Sequence, residues 1–176
     1  MSLWCVVPAA GKGLRVGGDL PKQYLSLNER TVMQCTLDRL CCLPVEAVIV
    51  PIAANDNIAA TLEYRDASLI RFVEGGGERA DSVLAALHAL PAEVADDELL
   101  LVHDAARPNL RAADITALIE AAQACADGAI LAAPVRDTLK RADDQQRCLG
   151  TEPREALWRA LTPQLFRRGG LTRAMA

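Results

Sequence analysis

A run of small residues followed by two separated cations predicts a site for phosphate groups. The run lies in residues 6–25, VVPAAGKGLRVGGDLPKQYL, directly after an apolar stretch typical of a buried strand. Four small residues, Ala9, Ala10, Gly11 and Gly13, would let a ligand lie against backbone N–H groups. Arg15 and Lys22 could then reach over the bound phosphates. The chemistry this favours is the binding of a nucleotide.

Two common glycine-rich phosphate loops do not fit this stretch. The dinucleotide fingerprint requires a third glycine where the chain has Val16,. A P-loop requires Ser or Thr after Gly-Lys, but Gly13 follows Lys12,. A looser loop with a separate Arg and Lys indicates a nucleotidyltransferase, which must hold a triphosphate with its α-phosphorus open to attack. For the glycine pattern alone, an ordinary strand-to-helix turn stays the alternative.

The composition predicts a single globular domain over residues 1–176. Apolar residues make up 51% of the chain and charged residues 24%, which is ordinary for a protein with one core,. The net charge of -4 argues against a surface built for nucleic acid or anionic lipid,. No apolar run approaches the roughly 20 residues that cross a bilayer. We therefore expect neither a nucleic-acid partner nor a membrane association.

The cysteines predict a reducing, cytoplasmic location. Six are present, mostly within apolar segments, and the chain begins without a signal peptide: Cys5, Cys35, Cys41, Cys42, Cys125 and Cys148,. Disulfides are rare in the cytoplasm, and a free cysteine behaves as a small apolar residue. We expect buried free thiols.

Apolar periodicity predicts strands and helices in alternation. Strands are predicted at residues 3–7, 45–50, 69–73, 99–102 and 129–135, and helices at residues 31–43, 55–63, 74–87 (after its opening glycines) and 115–124,. Such alternation favours an α/β fold with a parallel sheet and helices on both faces. Ligands of such sheets bind beyond the carboxyl ends of the strands. The loops PAAGKGLR, EGGGERADS and HDAARP all follow predicted strands, so they should converge on one edge.

The pattern changes after Val135. Residues 135–141 and 147–151 read as two polar strands around a turn at residues 143–146,. Helical periodicity returns only after Pro153. An isolated hairpin cannot bury an apolar face. We expect it to pack on something else, most simply a second subunit.

The loop after residues 99–102 and the helix after the three glycines carry polar candidates with open roles. Asp104 could coordinate Mg²⁺ or bond a hydroxyl, or it could cap the next turn. Arg107 could pair with Asp104 or contact phosphate. His103 reads as a packed or capping residue rather than a catalyst. Ser82 could cap its helix or reach a nucleotide, and Arg79 could hold the glycine loop or touch ligand.

Six blocks, taken together, resemble the family of 2-C-methyl-D-erythritol 4-phosphate cytidylyltransferases, which act in isoprenoid biosynthesis. They occur in order as VPAAGKGLR, PKQYL, GGGERADSV, LVHDAARP, APVRDTLKR and ALTPQLF. The resemblance implies a Rossmann-like nucleotidyltransferase fold and a homodimer formed through a hairpin arm at about residues 135–157. It also implies transfer of CMP from CTP to methylerythritol phosphate, with Mg²⁺ as cofactor and pyrophosphate as leaving group.

The resemblance also implies roles for individual residues. Catalytic roles fall on Arg15, Lys22 and Arg154, which agrees with the general need for positioned cations in phosphoryl transfer. Nucleotide-binding positions are Ala9, Ala10, Gly11, Gly13, Gly76, Ser82 and Asp104. Positions for the acceptor substrate are Arg107, Thr138, Arg154 and Thr162, with Thr138 and Arg154 serving the site of the other subunit. Asp104 is also the candidate metal ligand.

One departure from the family pattern concerns the end of the chain. Members of the family continue past ALTPQLF into a TDE segment and a strand with a substrate-positioning lysine, and residues 167–176 do not supply either. We expect the sequence to lack the C-terminal part of the family domain, and a fused cyclodiphosphate synthase stays open. Two alternatives also stay open: a cytidylyltransferase for ribitol or glycerol phosphate, and a non-catalytic nucleotide-binding dimer module.

Overall fold

A six-stranded sheet with helices on both faces organises the part of the chain that the computed structural model describes, residues 2–11 and 20–175. The strands are β1 (Leu3–Val6), β2 (Ser26–Leu27), β3 (Arg30–Thr31), β4 (Ala47–Ile52), β5 (Ile70–Glu74), β6 (Leu99–Val102), β7 (Gly128–Pro134), β8 (Leu139–Ala142), β9 (Cys148–Glu152) and β10 (Trp158–Arg167). The helices are α1 (Val32–Leu40), α2 (Arg79–His88), α3 (Ala112–Gln123) and α4 (Arg168–Met175). Among the described residues, no helix is both long and apolar enough to cross a membrane.

The main sheet is mostly parallel, as predicted. Its strand order is β5-β4-β1-β6-β10-β7. Strands β4 and β6 flank β1 in parallel, with Val6 opposite Ile49 on one side and Val102 on the other. Strand β10 runs antiparallel to both β6 and β7. The α/β fold class is therefore confirmed, with one antiparallel strand inside the sheet.

Two apolar cores lie on opposite faces of this sheet. Successive side chains of a strand point to opposite faces, so the fully apolar β6 supplies both cores. Leu99 and Leu101 pack with residues of α1 and α3, whereas Leu100 and Val102 pack with residues of α2 and α4. The central strands are thereby buried on both faces, and their carboxyl ends emerge at one edge.

The prediction of a helix at residues 55–63 is wrong. This segment contains only a single 3₁₀ turn, Ala59–Thr61. Oδ1 of Asp56 accepts hydrogen bonds from the N–H groups of Ile58 (2.9 Å) and Ala59 (3.0 Å). A carboxylate that satisfies these N–H groups gives the backbone an alternative to helical pairing. The hydroxyl of Tyr64 then donates to the Ala59 carbonyl (2.8 Å) and closes the turn.

Strand β10 is an element that sequence periodicity did not predict, because helical periodicity was expected after Pro153. The segment is extended because it pairs along both sides, with β6 and with β7. Its register with β7 shifts between Ala160 and Gln164. Pro163, which has no N–H to donate, lies in this irregular part of the ladder. Tertiary pairing thus overrides the local pattern.

The predicted hairpin is present and stands apart from the main sheet. Strands β8 and β9 form their own two-stranded sheet. In the turn, Oδ1 of Asp143 accepts from the N–H groups of Gln145 (3.0 Å) and Arg147 (2.9 Å). Most hairpin side chains are exposed. Dimerisation through this arm stays a prediction.

All six cysteines are free thiols, as predicted. Cys5 is buried in the core, and this burial raises the pKa of its thiol. The expectation of burial is wrong for Cys42, Cys125 and Cys148, which are exposed. The first two lie just beyond the ends of helices, and Cys148 lies in the hairpin.

Candidate functional site

A cavity of about 770 Å³ opens at the carboxyl ends of β1, β5 and β6. The three loops that follow these strands all contribute to its wall, as the topology predicts. The lining residues are Pro8, Ala9, Ala10, Gly11, Lys22, Gln23, Ala53, Ala54, Gly75, Gly76, Gly77, Glu78, Arg79, Ser82, Asp104, Ala105 and Ala106. The cavity therefore collects most of the predicted nucleotide-binding positions and one predicted catalytic residue.

The loop after β1 continues the pairing of that strand beyond its end. The N–H of Ala9 donates to the Pro51 carbonyl at 2.7 Å. Ala10 and Gly11 follow on the cavity wall, and a side chain at Gly11 would meet nothing within 4 Å. The backbone here is open to a ligand. Gly13 and Arg15 lie outside the described residues, so their predicted roles stay predictions.

Lys22 reaches the same cavity from a one-turn 3₁₀ helix, Lys22–Tyr24. The next residue, Gln23, is a functional candidate that sequence reasoning missed. It is 4% exposed, and its side-chain amide donates to the carbonyls of Ala9 (2.7 Å) and Gly11 (3.3 Å). Its place beside Lys22 in PKQY was the only available signal.

The glycines after β5 allow two close approaches. A Cβ at Gly75 would lie 2.8 Å from Cβ of Ala10, so the second loop packs directly on the first. A Cβ at Gly76 would lie 2.1 Å from Cβ of Asp81. Helix α2 then begins with a reciprocal cap, in which Oδ2 of Asp81 accepts from the N–H of Glu78 (3.0 Å),. Gly76 is thus required by packing as well as by its place on the cavity wall.

Ser82 lies on the cavity wall and is 2% exposed. Its hydroxyl donates to the carbonyl of Glu78 (3.1 Å) or Gly76 (3.4 Å). The capping alternative for Ser82 is wrong, because Glu78 occupies the N-cap position. A donating hydroxyl keeps its lone pairs, so Ser82 can still accept a hydrogen bond from a ligand.

Asp104 joins three elements at the mouth of the cavity. Its Oδ1 lies 3.3 Å from Nε of Arg79 on α2, and its Oδ2 lies 2.9 Å from Nε of Arg107. Its own N–H donates to the hydroxyl of Thr162 on β10, at 3.4 Å. Arg79 and Arg107 therefore both form ion pairs with Asp104, which for Arg107 is one of the two predicted roles. Both arginine side chains are about half exposed, which leaves their remaining N–H groups available to anions.

His103 is a packed residue, as predicted, with 1% exposure. Its Nε2 lies 2.8 Å from the Arg107 carbonyl, so Nε2 carries the proton and donates,. Its Nδ1 has no hydrogen-bond partner among the described residues. Burial lowers the pKa of the imidazole below its ordinary value of 6.5. The neutral ring holds the turn that carries Asp104 and Arg107.

This lowered pKa predicts how stability depends on pH. The unfolded chain takes up a proton near pH 6.5, whereas folded His103 resists it, so the free energy of unfolding should decrease as the pH falls below 6.5. The limit for one group is about 1.4 kcal/mol per pH unit. Denaturant unfolding at pH 7.5, 6.5 and 5.5 should give a flatter profile for His103→Gln than for the wild type. The matched control is His88→Gln, which replaces the exposed second histidine. Equal slopes for His103→Gln and the wild type would contradict the prediction.

The two predicted residues of the arm are not brought to this cavity within one chain. Thr138 and Arg154 are exposed, and neither is among the described residues that line the cavity. The guanidinium of Arg154 donates to the carbonyl of Arg136. Arg107 and Thr162 lie beside the cavity through their contacts with Asp104.

A mostly parallel sheet with a glycine-lined cavity at its carboxyl edge is typical of a Rossmann-like nucleotide-binding fold,. The family model described as 2-C-methyl-D-erythritol 4-phosphate cytidylyltransferase matches residues 3–176. The chain belongs to this family, which confirms the resemblance of the six sequence blocks.

The similarity to individual relatives extends over almost the whole chain. It is 51% identical to the 2-C-methyl-D-erythritol 4-phosphate cytidylyltransferase of Stenotrophomonas maltophilia, over 99% of this chain and 76% of that protein. The enzyme of the same name from Xanthomonas euvesicatoria is 52% identical, over 99% of this chain and 66% of that protein. Among solved structures, the Francisella tularensis enzyme of the same name superposes with a TM-score of 0.83 at 32% identity, covering 99% of this chain and 76% of that one.

Proposed function

We propose that the protein transfers CMP from CTP to 2-C-methyl-D-erythritol 4-phosphate. The products are 4-diphosphocytidyl-2-C-methyl-D-erythritol and pyrophosphate, in the biosynthesis of isoprenoid precursors. The observation that carries the proposal is that Ala9, Gly11, Lys22, Ser82 and Asp104 all line one cavity. These are the positions that the family motifs mark for the nucleotide and the reaction.

The proposed reaction is an in-line displacement at the α-phosphorus of CTP. A phosphate oxygen of the acceptor forms the new P–O bond, and the bond to pyrophosphate breaks. Negative charge increases on the transferring phosphate, and positioned cations are the main source of catalysis for such a step. Lys22 on the cavity wall is suited to this role. Arg15 is proposed for the same role from its motif.

The other lining residues suit the rest of the nucleotide. The exposed backbone around Ala10 and Gly11 can bind phosphate oxygens,. Gly76 and Ser82 also line the cavity, where the cytidine can bind, with the Ser82 hydroxyl as a hydrogen-bond acceptor. Arg107 and Thr162, next to Asp104, suit the acceptor phosphate.

Mg²⁺ is proposed as the cofactor, with Asp104 as its protein ligand. The described residues contain no cluster of three or more metal-ligating side chains. Mg²⁺ at nucleotide sites needs only one or two carboxylates, because substrate phosphates and water supply the other ligands. Asp104 fits this pattern, since each of its oxygens keeps lone pairs beyond the one used by an arginine,. The ion would neutralise charge on the triphosphate.

The arm is proposed to form a homodimer and to complete the acceptor site of the partner. Large apolar side chains are exposed on the arm and on the strand that follows it, with Leu149 64% and Trp158 63% exposed. An isolated hairpin does not bury such residues, so a second copy of the chain would cover them. Thr138 and Arg154 would then contribute to the neighbouring active site.

Mixed dimers test the crossing arm. Arg154→Ala and Lys22→Ala should each be nearly inactive alone, but a hybrid dimer contains one site with both native residues. After subunit exchange of equal amounts, we expect about a quarter of wild-type turnover, because half of the dimers are hybrids with one intact site each. Pyrophosphate release is the readout, and exchange is verified with differently tagged subunits. Absence of recovery after verified exchange would contradict the crossing arm.

The proposed reaction is tested by following pyrophosphate release from CTP and Mg²⁺ with different acceptors. We expect release with methylerythritol phosphate and little with ribitol or glycerol phosphate. Preference for either of those acceptors would reassign the substrate. Binding of CTP without release for any acceptor would indicate a non-catalytic module.

A cytoplasmic location is also proposed. Its support is the six free thiols, three of them exposed, since exposed thiols persist in a reducing compartment,.

A further inference from the structure

The side chain of Gln23 ties the glycine loop to the residue next to Lys22. Its amide nitrogen lies 2.7 Å from the Ala9 carbonyl oxygen and 3.3 Å from the Gly11 carbonyl oxygen. Only the NH₂ end of an amide can satisfy two carbonyls at once, because it has two protons to donate. With 4% of the residue exposed, these hydrogen bonds have little competition from water,.

The turn that contains Gln23 is itself held by hydrogen bonds of the neighbouring residues. The N–H of Tyr24 donates to the Pro21 carbonyl at 2.9 Å, which closes the turn around Gln23. Tyr24 is 5% exposed and packs in the core, and its hydroxyl donates to Asp56. The turn that carries Lys22 is thus fixed to the core on one side and to the glycine loop on the other.

The same hydrogen bonds orient a peptide group of the loop. In a trans peptide the carbonyl of Ala9 and the N–H of Ala10 point in opposite directions. Because the Ala9 carbonyl faces Gln23, the N–H of Ala10 points away from it. No described residue accepts a hydrogen bond from this N–H. Gln23 therefore orients a backbone donor of a residue on the cavity wall, and an anion bound there can accept a hydrogen bond from it,.

We propose that Gln23 is a positioning residue that fixes Lys22 and the peptide groups of residues 9–11 in their mutual arrangement for phosphate transfer. This inference rests on the proposed function. It assigns Gln23 no contact with the reacting atoms. An effective transition-state site depends on such preorganisation, and a displacement of about 1 Å can cost about 10²-fold in rate.

Gln23→Glu is the sharpest test, because it keeps the shape and removes both donors. Gln34→Glu is the matched control. Gln34 is also buried, and its amide also donates to a backbone carbonyl, that of Glu63 at 2.8 Å, but it is not among the lining residues. We expect kcat/KM for CTP to fall about 10²-fold in Gln23→Glu and less than about threefold in Gln34→Glu. Gln23→Met, which adds no charge, should fall in the same direction and serves if Gln23→Glu does not fold.

Coupling to Lys22 separates positioning from a merely structural role. If Gln23 places Lys22 as well as the peptide groups, the loss caused by Gln23→Glu should be smaller in a Lys22→Ala background than in the wild type, because the part that depends on Lys22 is already lost. Equal losses in both backgrounds would overturn the inference, as would near-normal kcat/KM in Gln23→Glu and Gln23→Met while the wild type is active. A wild type that releases no pyrophosphate would refute the proposed function and the inference with it.

Discussion

Lys22→Ala is expected to lower kcat for pyrophosphate release by about 10²–10³, which corresponds to about 3–4 kcal/mol of transition-state stabilisation. Lys22 lies on the wall of the cavity. It forms no ion pair with a carboxylate among the described residues. Its charge is therefore available to the transferring phosphate. Steady-state kinetics with saturating CTP and acceptor measures the effect.

The protein should still fold after this change, because the side chains that hold the turn in place are those of Gln23 and Tyr24, not that of Lys22. The melting temperature of Lys22→Ala should stay close to that of the wild type. Lys22→Arg, which keeps the charge with a different shape, should retain more activity than Lys22→Ala. Arg39→Ala removes an exposed cation from α1 and should leave kcat unchanged. Near-normal kcat in Lys22→Ala would remove Lys22 from its proposed role.

Asp104→Asn is expected to lower kcat/KM by about 10² and to raise the Mg²⁺ concentration needed for half-maximal rate. The change keeps the size of the side chain but removes its charge, which Arg79, Arg107 and the proposed metal ion all use. Loss of this charge would displace the groups that Asp104 holds, and a displacement of about 1 Å can cost about 10²-fold in rate. Rates measured over a Mg²⁺ titration give both quantities.

Stability should change little in Asp104→Asn, because both arginine partners are about half exposed and such pairs contribute about 1 kcal/mol or less,. The matched control is Asp38→Asn on α1, whose carboxylate has a similar exposure and pairs with Arg30 at 2.6 Å. Asp38 is not among the described lining residues, so activity should be unchanged. An unaltered Mg²⁺ requirement in Asp104→Asn would exclude Asp104 as the metal ligand.

The convergence of the three loops could be predicted from the sequence because it depends on topology. Short apolar runs such as β6 are recognisable as buried strands, and parallel strands place their carboxyl ends at one edge,. Glycine and cation patterns then identify which loops can bind phosphate. That is why Gly11, Lys22 and Asp104 were predicted separately and are found on one cavity wall.

Features that depend on tertiary contacts could not be predicted in the same way. Strand β10 is extended because it pairs with two neighbours, and its own periodicity does not show this. The segment after Asp56 is not the predicted helix, because the Asp56 carboxylate accepts two hydrogen bonds from its backbone N–H groups. Gln23 was not predicted because a glutamine in a sequence does not indicate a particular chemistry. Its role depends on hydrogen bonds to two carbonyls that only the fold places beside it.

A crystal structure with bound CTP tests the central claim most directly. We predict the triphosphate along residues 9–11, with Nζ of Lys22 within about 3 Å of an α-phosphate oxygen. The cytidine should lie beside Gly76 and Ser82. A nucleotide bound outside this cavity, with Lys22 directed to solvent, would contradict the account.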